Sequence, residues 1–184
     1  MILAKRFIPL LIMLGFIAIL IITPLVAALF GIPIIAMNDA YISIATFDFY
    51  TLAHLLWGVA LFVVCFTFGF IAKNRSGDPH APLKPPGFKK LVMYWAITIA
   101  IAAVWEILEN TVLILVGMKA YNDSPPNIIT DITIWGFGGL VSWYMTDIMF
   151  LSHKIIRAYY IYGIISLLSG ILLFFAFGFI TTNF

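Results

Sequence analysis

Five apolar stretches, at approximately 7–30, 51–72, 91–117, 128–151 and 159–181, decide what this chain can become. Each is close to the roughly 20 residues a helix needs to cross about 30 Å of hydrocarbon. The runs are continuous, without the apolar and polar alternation of barrel strands, and a membrane admits only helices or closed barrels. The expectation is an all-α polytopic membrane protein: five transmembrane helices in one bundle, with the fourth helix opening at about 124, and a single domain over 1–184. Charged residues make up 10% of the chain and hydrophobic ones 64%, far from the soluble average of about a quarter charged.

The basic residues set the expected orientation. Lys5 and Arg6 precede the first span, Lys73, Arg75, Lys84, Lys89 and Lys90 lie in the linker 73–90, and Lys154 and Arg157 follow the fourth span. Lys119 alone falls on the other side. The N-terminus is therefore expected to be cytoplasmic and the C-terminus external, in what reads as a prokaryotic cytoplasmic membrane. Six of the 8 acids, Asp39, Asp48, Glu106, Glu109, Asp123 and Asp131, collect toward the outer half. With basic residues in these flanking positions the net charge of +2 gives no sign of nucleic-acid binding. The one cysteine, Cys65, excludes an intrachain disulfide and a cysteine metal cluster.

Within this apolar frame the acids are out of place. Glu106, Glu109 and Asn110 stand at i, i+3 and i+4 and share one face of the third helix. A carboxylate at membrane depth normally faces a bundle interior or a wet cavity and is by default a functional-site hypothesis. Two carboxylates a turn apart are hard to ionise together in low dielectric unless a cation or His54 lies between them. His54, one turn into the second helix, is at a similar depth. Its bland reading is an interhelical hydrogen bonder. Asp123-Ser124-Pro125-Pro126 reads as a helix start, with Asp or Ser as the cap and Pro in the first turn. Asn127 and Asp131 then follow on one helical face. The segment 31–50, rich in apolar and aromatic residues, is expected to lie at the interface and to cover such a site. Pro24 is expected to kink the first helix or break its last turn. Gly136, Gly138 and Gly139 permit close helix approach, and the small residues Gly163, Ser166, Ser169 and Gly170 suit packing against neighbours or a second protomer. Tyr159, Tyr160 and Tyr162 read as an aromatic belt.

Three patterns stand in order: Asp48-x5-His54 followed by Gly58, Trp105-Glu106-x-x-Glu109-Asn110, and Asp123-x3-Asn127-x3-Asp131. Together, over about residues 47–140, they resemble the VanZ-like membrane superfamily and its largely uncharacterised bacterial relatives. That family shows an Asp-x-x-x-His helix start, a Glu-x-x-Glu or Glu-x-x-Gln pair and an Asp-x3-Asp or Asp-x3-Asn row. This chain has five residues rather than three between Asp48 and His54, and lacks the Arg that often precedes the Asp row. The resemblance implies a helical membrane fold with a polar site.

Two functional readings stay open on the sequence. In the first, Glu106, Glu109, Asp131 and His54 are candidate ligands for a divalent ion such as Mg²⁺, Ca²⁺, Mn²⁺ or Zn²⁺. Glu106 and Glu109 are candidate catalytic residues, at the metal or, without one, as an acid and base pair, and Asn110, Asp123 and Asn127 candidate substrate contacts, acting on a lipid or envelope-precursor headgroup. In the second, the same residues form a structural network in an accessory subunit of a membrane complex, with other subunits or a second copy as partners. Whether the chain is an enzyme is left undecided by spacing alone.

Overall fold

A computed structural model of the chain describes residues 2–36, 41–75 and 86–183, with side chains described for 7–177 of these. Asp39 and the linker residues 76–85, Lys84 among them, lie outside the described residues, as do the side chains of Lys5 and Arg6. The described chain is helical: α1 (Ile2–Leu29), α2 (Thr51–Asn74), α3 (Phe88–Leu108), α4 (Pro125–Met145) and α5 (Ile156–Asn183). Two of these helices widen into π-helical turns, α3 over Glu109–Leu113 and α4 over Thr146–Ser152. Four stretches are long and apolar enough to cross a membrane, Phe7–Leu29, Thr51–Asn74, Phe88–Leu113 and Ile156–Phe177, which marks this as an integral membrane protein. The expected fourth helix also forms, but with Asn127, Asp131 and three glycines it is less apolar than the rest. It lies at the centre, packed on α1, α2 and α3, while α5 packs on α2.

Glycines set how close the helices come. A Cβ on Gly138 would strike the backbone of Leu55, and one on Gly58 the backbone of Trp135, so α2 and α4 run side by side at near backbone contact. Gly136 and Gly139 of α4 receive Phe16 of α1 and Trp95 and Thr98 of α3. On α5, Gly163 and Gly170 face Val63 and Trp57 of α2. These two small-residue contacts of α5 are therefore made within the chain.

At the end where α2 and α4 begin, here called the upper end, α1 runs unbroken through Pro24 rather than breaking there. It closes at Gly31, whose φ of 74° gives the left-handed turn that ends a helix, with Ile32 N–H reaching Ala27 O at 3.1 Å. Gly117 ends the third helix in the same way, at φ 75°. The segment that follows α1 folds over the upper end. Thr46 and Phe47 donate to Pro33 O and Ile34 O at 2.9 Å each, and a turn at Tyr41–Ala45 brings Ser43, Ile44 and Ala45 onto the start of α4. The opposite half is aromatic and apolar, built on Phe62, Phe66, Phe70, Tyr94, Trp143, Phe150 and Tyr159. Tyr159 is not part of an exposed belt: it is fully buried, its hydroxyl 2.7 Å from that of Thr146.

Candidate metal centre

The start of α4 fixes the upper wall of the site. Ser124, not Asp123, caps this helix: its Oγ accepts from Asn127 N–H at 3.3 Å, with Pro125 and Pro126 in the first turn, where a missing N–H costs nothing. Ser124 also donates to Ile44 O at 2.8 Å, and Asn127 Nδ2 donates to Ala45 O at 3.0 Å. The covering segment is thus pinned to the helix that carries Asp131, one turn further in.

Asp48 organises the start of α2. Its Oδ1 accepts from the backbone N–H of Tyr50 at 2.8 Å and Thr51 at 3.0 Å, while Thr51 Oγ1 accepts from Asp48 N–H at 3.1 Å. This fixes the first turn, and His54 follows directly. Burial first, and the charge of Asp131 second, push the Asp48 carboxyl from its ordinary 3.8 up to about 7, against the opposing pull of His54 and the two N–H donors.

Three helices then converge. His54 from α2, Glu106 from α3 and Asp131 from α4 are 2%, 4% and 2% exposed, and their ligand atoms all lie within 4.8 Å of one another. His54 Nδ1 stands 3.3 Å from Asp131 Oδ1, in ion-pair range but without hydrogen-bond geometry. Neither oxygen of Glu106, nor His54 Nδ1, nor Asp131 Oδ1 has a hydrogen-bond partner among the described residues. Around them Asn127 Oδ1, Thr130 Oγ1 and Thr46 Oγ1 are buried and unpartnered as well. Leaving a buried polar group unpaired costs roughly 1–3 kcal/mol, and more for a charged one. A cation held between these groups relieves that cost at several of them at once.

The second cluster lies next to the first and shares Glu106. Glu106, Glu109 and Asp123 again bring ligand atoms within 4.8 Å. Here the protein itself meets part of the charge. Lys119 Nζ donates to Glu109 Oε1 at 3.0 Å and to Asp123 Oδ2. Burial works against the Lys119 charge, but Glu109 and Asp123 outweigh it and hold its pKa above the ordinary lysine value. Asn110 completes the arrangement at the π-helical turn. Its Nδ2 donates to Glu106 O at 3.0 Å and to Asp123 Oδ2 at 2.9 Å, and its Oδ1 accepts from Asp123 N–H at 2.7 Å. Asn110, Asp123 and Asn127, singled out from the sequence as substrate contacts, thus make protein contacts that hold the roof of the site.

Below the first cluster is a layer of indoles. Trp57, Trp105 and Trp135 each lie within four residues of a triad member on the same helix, and Trp57 meets Trp105 and Trp135 edge-on at 5.4 and 5.5 Å. Phe174 of α5 completes the layer, 5.4 Å from Trp57. It separates the polar groups from the apolar half of the bundle. The sequence reading missed both this layer and the part played by Lys119. The signal for Lys119 was present, since it is the one basic residue placed on the acidic side. Comparisons with protein-family models, curated proteins and solved structures return no match for this chain.

Proposed function

We propose that this chain is a five-span membrane protein whose buried triad, His54, Glu106 and Asp131, binds a divalent metal ion near the outer face. The observation that carries this reading is a set of three helices each supplying one ligand, with the ligand atoms buried, mutually close and without a hydrogen-bond partner among the described residues, His54 and Asp131 facing each other at 3.3 Å. Two carboxylates and a neutral imidazole sum to two negative charges, which a divalent ion balances. One nitrogen and two oxygen donors suit the borderline Zn²⁺, or the harder Mn²⁺, better than Ca²⁺, which takes 6–8 oxygen ligands. Ligand atoms on four-coordinate Zn²⁺ lie about 2.0–2.2 Å from it and so roughly 3.4 Å from one another. His54 Nδ1 and Asp131 Oδ1 already stand 3.3 Å apart, and the full set, within 4.8 Å, reaches that spacing by a small inward movement of side chains.

Three protein ligands leave a further coordination position, as in catalytic zinc sites. An ion with an open position polarises a phosphoryl or acyl oxygen or activates water. The substrate class that fits the setting is the headgroup region of a membrane lipid or envelope precursor. What supports this is the place of the triad, one turn inside the upper end beside Ile44 and Ala45 of the covering segment, with exposed apolar side chains such as Val104, Ile107 and Leu108 on the same stretch of α3. Metal analysis of protein purified in detergent tests the core of this reading: one ion per chain in the wild type, lost in His54→Ala, Glu106→Gln and Asp131→Asn variants that keep their helical content. Wild-type protein that stays metal-free after incubation with Zn²⁺ or Mn²⁺ would overturn it.

The second reading, a non-catalytic subunit of a membrane complex, draws on the outer network. There Lys119, Glu109, Asp123 and Asn110 satisfy one another in the way a structural element does. It predicts that the three triad variants lose a co-purifying partner rather than an ion.

A further inference from the structure

We infer that the outer cluster, Glu106, Glu109 and Asp123, is a second divalent-cation site in which the ammonium of Lys119 stands in place of the ion. The inference rests in part on the metal reading above, but its own evidence is separate. The cradle offers more than Lys119 uses. An ammonium has three donors, and those of Lys119 reach one oxygen of Glu109 and one of Asp123. Glu109 Oε2 and both oxygens of Glu106 are buried and without a hydrogen-bond partner among the described residues. Charge tells the same story. Glu109 and Asp123 carry two negative charges against one positive, so the ammonium leaves the pair one charge short of neutrality, whereas a divalent ion closes it.

Glu106 belongs to both clusters. A carboxylate with two free oxygens can give one to each of two ions, the bridging arrangement of two-metal sites, whose ions stand about 3.5–4 Å apart. Lys119 makes the centre mononuclear by supplying the second positive charge from the chain. It sits just past Gly117, whose left-handed backbone ends the third helix and turns the chain so that the side chain folds back over Glu109. Because the outer cluster contains only carboxylates, its ion is a hard one, Mn²⁺, Mg²⁺ or Ca²⁺. The His-containing triad keeps the borderline ion.

The test is a Mn²⁺ titration of the full chain in detergent micelles, followed by electron paramagnetic resonance, which counts bound ions and detects coupling between two neighbouring ones. The variant is Lys119→Gln, which keeps an N–H donor toward Glu109 and Asp123 while removing the charge. Lys119→Met serves as the second variant if Gln folds poorly, and Lys119→Arg keeps the charge. The wild type and Lys119→Arg are expected to bind one Mn²⁺, and Lys119→Gln two, with a coupled spectrum. Adding Asp123→Asn to Lys119→Gln removes the second ion alone. If the triad binds no metal, the wild type binds none and Lys119→Gln still gains one, which His54→Ala does not remove; the triad reading then fails while this one stands. Equal stoichiometry in the wild type and both neutral variants would overturn the inference.

Discussion

The two halves of the polar centre share Glu106 and meet their charge in opposite ways. In the outer half Lys119 and Asn110 engage one oxygen of Glu109 and one of Asp123 with side chains of the same protein, meeting part of the charge. In the inner half His54, Glu106 and Asp131 crowd together with no hydrogen-bond partner for the facing atoms among the described residues. The difference teaches how to tell structure from site inside a membrane protein. Buried acids alone distinguish nothing, because both halves have them. A charge that the fold completes is a brace, and one that the fold concentrates and leaves open is prepared for something from outside.

The sharpest way to break this comparison is to neutralise one acid in each half. Glu106→Gln is expected to weaken divalent-ion binding at the triad by at least 100-fold, or about 2.8 kcal/mol at 1.4 kcal/mol per decade. It leaves the metal-free protein as stable as the wild type or more so, since a buried charge is gone. Glu109→Gln should do the reverse. It keeps the triad ion and lowers stability by about 1–2 kcal/mol through loss of a charged hydrogen bond in a partly exposed pair. Calorimetric titration and denaturant unfolding of both variants check this, and equal behaviour would erase the distinction between the halves.

A smaller effect is expected from parting the helices beneath the triad. Gly138→Ala places a methyl group against the Leu55 backbone, an overpacking that typically costs about 1–3 kcal/mol. Because it pushes α2 from α4, it separates His54 from Asp131 and weakens ion binding while leaving the Lys119 network intact. Gly15→Ala, where an added Cβ meets nothing within 4 Å, is the matched control.

The smallest effect is at the rim of the inner half. In metal-free protein Asp48 holds its proton up to about pH 7, whereas the unfolded chain releases it near 3.8. The folded state therefore binds more protons between these values, and stability falls as pH rises from about 4 to 7 and levels off above. Asp48→Asn keeps the acceptor for Tyr50 and Thr51 and removes this contribution. Thermal unfolding in chelator at pH 4.5 and 7.5 should show a smaller loss in the variant. Equal losses would mean that Asp48 is solvated as an ordinary carboxylate.

Much of the frame was legible in the sequence because bilayer-length apolar runs leave few alternatives. The acids stood out in that frame, and Glu106 on α3 and Asp131 on α4 do meet, with His54. What the sequence hid came from longer-range causes. The identity of the α4 cap, Ser124 rather than Asp123, goes with the pairing of Asp123 with Lys119 and Asn110. Asp39 and the linker residues 76–85 lie outside the described residues. Lys119 was read as a topological exception, since a count of charges per side carries no information about which acids a lone lysine can reach. Nothing in the spacing of Trp57, Trp105 and Trp135 joins them, and only the meeting of three helices places them in one layer.

The central claim is that the open half of the centre holds a metal through one imidazole and two carboxylates. X-ray absorption at the edge of the bound metal, on protein reloaded with Zn²⁺ after chelation, addresses it most directly. The account predicts one imidazole in the scattering pattern, with nitrogen and oxygen neighbours at about 2.0–2.2 Å, and loss of the imidazole signature in His54→Ala. An oxygen-only shell that His54→Ala leaves unchanged, or protein that takes up no ion, would contradict it.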